Sequence, residues 1–385
     1  MNVQCIDCGT DIDRNAIASG AISACPNCGR ELFRHREGGG MQPEGGGSAE
    51  RLIGRMSERI TSAAGVQALQ GFSIRETFSE VFARHSPEDI ERYFAVGGPD
   101  TTPPLEQIDV RWPKPWVFFR VFLVALVTYI VFVQAWEQYH NLKLIPALIF
   151  VGSFAIPFAT LILFFELNVR RNVSLYQLAR LALLGGAISI VLSLLMYQIT
   201  DTWHGLRWLG ASVAGLVEEP GKLLALFLVV NNRRYRGILN GLLFGAAVGT
   251  GFAAFESAGY ALLTALGWGT AAMREVIMSR GLLAPFGHIV WTGMAAAALW
   301  RVKGDAPLRW DMLKDKRFTR VFAMAIVLHM LWDSPLQLPF YGTYLLLGAV
   351  AWIIVLGLVQ EGLQELQELK DGLASERAPD EADRA

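Results

Sequence analysis

Between about residue 115 and residue 360 the chain is a succession of apolar runs of roughly 17–26 residues. A helix needs about 20 such residues to cross a bilayer. The expected fold is therefore an all-α polytopic membrane protein with about eight transmembrane helices. The runs fall near residues 116–135, 144–166, 178–198, 208–230, 238–264, 284–300, 320–336 and 342–359. Charged residues make up 18% of the chain, against about 25% in soluble domains. The net charge of −1 argues against binding nucleic acid through bulk positive charge, and no nucleic-acid partner is expected. The opening MNVQCIDCGTDIDRN is polar and does not read as a cleavable signal peptide.

The order of the basic residues gives an orientation. The loops after the second, fourth and sixth runs carry thirteen Lys and Arg residues. Those after the first, third, fifth and seventh carry four: Lys143, Arg207, Arg274 and Arg280. Cytoplasmic loops are the richer in cations, so both termini are expected in the cytoplasm.

All four cysteines lie near the start, Cys5, Cys8, Cys25 and Cys28, in two C-x2-C pairs each followed by glycine. That spacing predicts a small ribbon holding one structural Zn2+ through four thiolates, which leaves no position for water. Two disulfides of a secreted domain are the other reading. A reducing cytosol favours the zinc, in agreement with the charge bias. The expected organisation is a ribbon over 1–35, a Gly-rich linker over 36–50 and a cytoplasmic helical module over 51–98. An eight-span body follows over 115–360, then an amphipathic helix and disordered polar tail over 361–385. In the module, Ser86-Pro87-Glu88-Asp89 predicts a helix start, and His85 reads as solvent-exposed. The ribbon offers a surface for a cytoplasmic partner.

Within the apolar body a few polar residues stand out. The fourth run contains Glu218, Glu219 and Lys222 in GLVEEPGKLL, three and four residues apart on one helical face. The fifth contains Glu256 and Tyr260, the sixth His288, and the seventh His329 and Asp333. A charge at mid-membrane costs about 2.5–3.5 kcal/mol on insertion scales, so these groups need partners and a protein or water-filled surrounding. Counted inward from the helix ends, Glu219, Glu256, His288 and His329 fall into one layer in the outer half of the membrane. The preceding GLLFGAAVGTG is rich in small residues, which permits close helix contact.

Such a set can activate water. A glutamate can serve as general base, a histidine can hold water or stabilise an oxyanion, or the histidines and a glutamate can bind zinc. Lys222 and Asp333 would tune their neighbours, and Tyr260 is either a packing residue or a donor. No H-E-x-x-H or Gly-x-Ser-x-Gly is present. EEPGK, FESAGY, HIVWTG and HMLWD, in that order, resemble the motifs of PrsW-type intramembrane proteases, in the same clan as the type II CAAX prenyl endopeptidases. The resemblance extends over roughly residues 115–360. It implies cleavage of a membrane protein substrate such as a membrane-bound anti-sigma factor, with Glu218, Glu219, Glu256, His288 and His329 as catalytic residues. Two other readings are a proton-coupled transporter or channel using the same Glu and His residues as a relay, and an inactive scaffold whose ribbon recruits partners.

Overall fold

Apolar runs surrounded by hydrocarbon must close their own backbone hydrogen bonds. Each of the eight predicted runs is built mainly of helix in the computed structural model, which describes residues 2–4, 10–13, 27, 48–202, 204–230, 235–336 and 338–382. The chain divides into two units, Met1–Ile53 and Gly54–Ala385. In the first, β1 (Asn2–Gln4) pairs antiparallel with β2 (Asp11–Asp13). The four cysteines of the expected ribbon, and the linker as far as residue 47, lie outside the described residues.

Helix α1 spans Ser48–Ala64 and α2 spans Pro87–Phe94. The predicted start of α2 is a full capping box: the Ser86 side chain accepts from the Asp89 amide, and the Asp89 carboxylate accepts from the Ser86 amide. There follow α3 (Val117–Tyr139), α4 (Leu144–Leu167), α5 (Leu175–Arg180), a π-helical turn (Leu181–Gly185) and α6 (Gly186–Thr202). The rest is α7 (Val213–Val229), α8 (Ile238–Leu283), α9 (His288–Lys303), α10 (Lys316–Trp332) and α11 (Gly342–Ala382). Among the described residues, five stretches are long and apolar enough to cross a membrane: Val117–Tyr139, Leu144–Leu167, Leu175–Thr200, Ile238–Lys303 and Gly342–Leu373. α7 and α10 have 17 residues each. That gives about 25 Å of helix, short of the ~30 Å hydrocarbon core.

The region expected to be a loop between the fifth and sixth runs is instead helical. At Gly269 the backbone leaves helical geometry with φ 85°, a value that suits glycine. Beyond it the chain returns alongside itself: Met273 and Ile277 share a buried cluster with Ala261, Leu148 and Ile149. The Arg280 side chain donates to Ser257 Oγ at 2.9 Å. α8 is thus a hairpin of two helical arms, and this carries Arg280 back to the middle of the first arm.

The small residues of α8 allow close packing, as the sequence suggested. A Cβ at Gly249 would overlap the carbonyl oxygen of His288 on α9. One at Gly251 would overlap the carbonyl oxygen of Ala182 in the π turn. Backbone cannot yield as a side-chain tip can, so Gly251→Ala should lower stability by about 1–3 kcal/mol, the usual range for overpacking. The check is the unfolding midpoint in detergent, against Gly267→Ala, where a Cβ meets nothing within 4 Å.

At the end of the body where residues 166, 301 and 361 lie, segment 61–120 is tied down by buried polar groups. Glu166 accepts from the amides of Trp116, Val117 and Phe118 at 2.7–2.9 Å, satisfying donors at the start of α3 that have no partner within the helix. Arg301 donates to Gly65 O and to Glu361, and Glu361 accepts from the Gln67 amide at 2.8 Å. His85 is half-buried rather than exposed, because its ring stacks on Trp116 with centroids 3.5 Å apart. Outside the apolar body, the Arg317 side chain bonds Asp315, the N-cap of α10, and holds its carboxyl at about 2.

Candidate active site

α7 is helical through Pro220, which sets Glu218, Glu219 and Lys222 on its inward face, all buried. Lys222 Nζ donates to Glu219 Oε1 at 2.8 Å, to Glu218 Oε2 at 3.4 Å and to His288 Nδ1 at 2.8 Å. It also lies 4.0 Å from the centre of the Phe252 ring. A buried ammonium is costly unless paired and hydrogen-bonded; here it holds two carboxylates and one imidazole from two helices.

Each histidine is fixed at both nitrogens. His288 begins α9, with Nδ1 on Lys222 and Nε2 3.1 Å from Glu256 Oε2. His329, on the last turn of α10, has Nδ1 2.8 Å from Glu219 Oε1 and Nε2 3.2 Å from Asp333 Oδ2. The His329 ring stacks on Trp291 with centroids 4.5 Å apart. Glu256 is also paired with Arg280, and both of its partners use Oε2. Glu218 Oε1 accepts from the Tyr197 hydroxyl at 3.1 Å.

These side chains open on a cavity of about 710 Å³ lined by Glu218, Glu256, Arg280, His288, His329 and Asp333, among others. Glu219 and Lys222 do not line it; they stand behind the groups that do. Every polar residue singled out in the apolar body belongs to this cluster or its wall, including Tyr260, whose ring packs under the Arg280 guanidinium at 4.4 Å. Tyr341 also lines the cavity, and with Phe340 it adopts φ of 59° and 55°, an unusual backbone for bulky residues.

Several residues of the site escaped the sequence reading, Tyr341 among them. Tyr197 sits at the polar end of α6, Trp291 lies among the apolar residues of α9, and Arg280 was counted as a loop cation. The available signal for Arg280 was its isolation inside the apolar stretch EVIMSRGLLAPF, where a lone arginine needs a buried acid.

Residues 174–359 match the family described as PrsW family intramembrane metalloprotease. This segment belongs to the PrsW family. The PrsW segment starts at Ser174, the N-cap of α5, rather than near residue 115, and it contains every member of the cluster. No curated protein and no solved structure shows significant similarity to the chain. With its apolar helices, the match makes this an integral membrane protein carrying a membrane protease domain, with a lipid environment and a membrane-protein substrate. It favours proteolysis over the proton-relay reading.

Proposed function

We propose that the chain hydrolyses a peptide bond within a membrane protein, using Glu256 as general base in the cavity shared with Glu218, His288 and His329. The observation that carries this reading is the convergence of those four side chains, from four helices, on one cavity inside a PrsW segment. Arg280 and His288 grip Glu256 through Oε2, leaving Oε1 to take a proton from water. The water oxygen bonds to the scissile carbonyl carbon, and the Arg280 guanidinium offsets the charge developing on the carbonyl oxygen. As the C–N bond breaks, Glu256 returns the proton to the leaving amine. Glu219, turned toward Lys222 and His329, acts by positioning rather than as the base.

The donor set also fits a divalent metal. Glu218, His288 and His329 offer ligand atoms all within 4.8 Å of one another. Two imidazoles and one carboxylate form the ligand set of open catalytic zinc sites. Glu218 Oε2 is 3.8 Å from His329 Nε2 and 4.0 Å from His288 Nδ1, too far for either to bond it directly. His329 Nε2 faces carboxylates from Asp333 and Glu218, an environment that calls for a positive charge. Bound there, an ion would polarise the carbonyl and acidify water. Lys222 already bonds two of the three donors, so ion and ammonium compete for them.

Metal content separates the two versions. Protein lacking residues 1–48, and with them all four cysteines, should retain one zinc per chain, and His329→Ala should remove it. A truncated protein that binds no metal yet still cleaves would leave the glutamate mechanism alone.

The substrate we favour is a membrane-bound regulatory protein of the anti-sigma type, as the family resemblance suggests, in a bacterial or archaeal plasma membrane. Cytoplasmic termini and cleavage in the outer half of the membrane follow from the charge bias. That bias sharpens once Arg280 is assigned to the site, leaving three cations on the outer side. A cleavage assay in vesicles with a co-reconstituted single-span substrate tests the function. An intact substrate in the presence of folded, metal-loaded protein would refute it.

A further inference from the structure

Ahead of the first apolar run, segment 74–84 carries three large apolar side chains four residues apart: Ile74, Phe78 and Phe82. The chain is helical over Ile74–Thr77 and continues in turns to Ala83, through bonds such as Val81 N–H to Phe78 O and Ala83 N–H to Glu80 O. At that spacing side chains share a face. Thr77 and Val81 are buried in the protein, whereas Ile74 and Phe82 are 68% and 83% exposed and Phe78 is exposed between them. Single exposed apolar residues are ordinary. A row of three on one face marks an interaction surface.

The neighbours of this face show what covers it. The Phe78 ring meets Phe118 edge-on with centroids 6.0 Å apart, and Phe82 meets Phe119 at 5.5 Å. Phe119 continues the row to Phe122. These partners belong to the first two turns of α3. Of the five apolar stretches, α3 has the least protein around it, with 6% of its most apolar window buried. Its surrounding is therefore lipid. Arg120 sets the level. It stands one turn inside α3, where a guanidinium needs a partner, and it donates to Ala83 O at 2.9 Å. The backbone at Ala83 is thus level with the start of α3, and the exposed aromatic face runs on into a lipid-facing one.

We propose that segment 74–84 is an in-plane membrane anchor. It lies along the membrane surface on the side where α3 begins, with Ile74, Phe78 and Phe82 inserted among the acyl chains, as the apolar face of an interfacial element does. Its partner is hydrocarbon rather than an anionic headgroup. The nearby exposed cations Arg75 and Arg84 are outnumbered in sequence by Glu76, Glu80, Glu88 and Asp89, so no basic patch is formed. The anchor lies outside the PrsW segment and is a second hold on the membrane, separate from the helical body. It braces the start of α3 from the lipid side, as Glu166 does from the protein side.

The test uses the full chain with p-benzoylphenylalanine in place of Ile74, Phe78, Phe82 or Glu88, one position at a time. Each protein is irradiated in phosphatidylcholine vesicles and its adducts are read by mass spectrometry. Acyl-chain adducts at positions 74, 78 and 82 should exceed those at 88, an exposed acid of α2, at least tenfold. Crosslinks to a second copy of the chain or to residues 1–47, or lipid adducts no more frequent than at 88, would overturn the proposal. A second measurement removes the apolar probe. In lipid nanodiscs, open to protease on both faces, Phe82→Asp should speed tryptic cleavage after Arg84 at least tenfold, because the charge expels the segment from lipid. The ring is so exposed that its loss leaves little packing to break, and an unchanged cleavage rate would place Phe82 in water and overturn the anchor.

Discussion

Glu256→Gln is expected to reduce kcat for cleavage of a membrane-spanning substrate by about 10²–10⁴-fold, the usual contribution of a positioned general base. That corresponds to roughly 3–5.5 kcal/mol on the barrier. The change is nearly isosteric. The amide oxygen can still accept from Arg280 and from His288 Nε2, so the cluster keeps its shape while losing the proton acceptor. KM should stay within a few-fold, because the near-isosteric amide leaves the shape of the cavity that Glu256 lines unchanged. Initial rates in vesicles, with thermal unfolding as the control for folding, decide the matter. Glu219→Gln provides the contrast. Its carboxylate is spent on Lys222 and His329 at 2.8 Å each, so its loss should act through the orientation of His329 and change rate less. A fully active Glu256→Gln beside a dead Glu219→Gln would transfer the base role to Glu219.

The sequence made the helical architecture and much of the cluster legible for one reason. Charged groups are so costly in hydrocarbon that Glu218, Glu219, Lys222, Glu256, His288, His329 and Asp333 had to find each other, and helix geometry fixed their depth. Their pairing was not legible. Two adjacent glutamates differ by about 100° around a helix, yet nothing in EEPGK says which of them faces open space. In the structure Glu218 reaches the cavity and Glu219 is enclosed. The choice depends on where α10 and α9 bring their imidazoles, which is tertiary information. Arg280 was lost for a different reason. Charge counting assumes that the residues between two apolar runs lie in water, whereas the Gly269 reversal folds them back onto the helix they leave. A glycine with positive φ inside GWGTAAMREV has no hydropathy signature. Likewise, the length of a run does not reveal whether it spans: α7 and α10 are clearly apolar, but at 17 residues each they are short.

Lys222→Met should be the most destabilising single change in the cluster, at about 3–5 kcal/mol, the cost of removing one partner from a buried ion pair. The Met side chain fills similar volume and tolerates irregular surroundings, so the loss is electrostatic rather than steric. Glu218 and Glu219 would remain enclosed without their cation, and His288 Nδ1 would lose its donor. Two further measurements distinguish this from a general packing defect. First, Glu219→Gln placed in the Lys222→Met background should recover part of the stability, since it removes one of the stranded charges. The two changes should be non-additive, as expected for groups in one network. Second, the same donors suit a divalent ion, so added zinc should raise the unfolding midpoint of Lys222→Met more than that of the unmodified protein. With the ammonium gone, an ion meets no competitor at Glu218 and His288, and its stabilisation grows as the logarithm of its concentration over Kd. Equal zinc shifts in the two proteins, with strict additivity of the double change, would mean that Lys222 supports the helix packing alone and does not hold the charges of the site together.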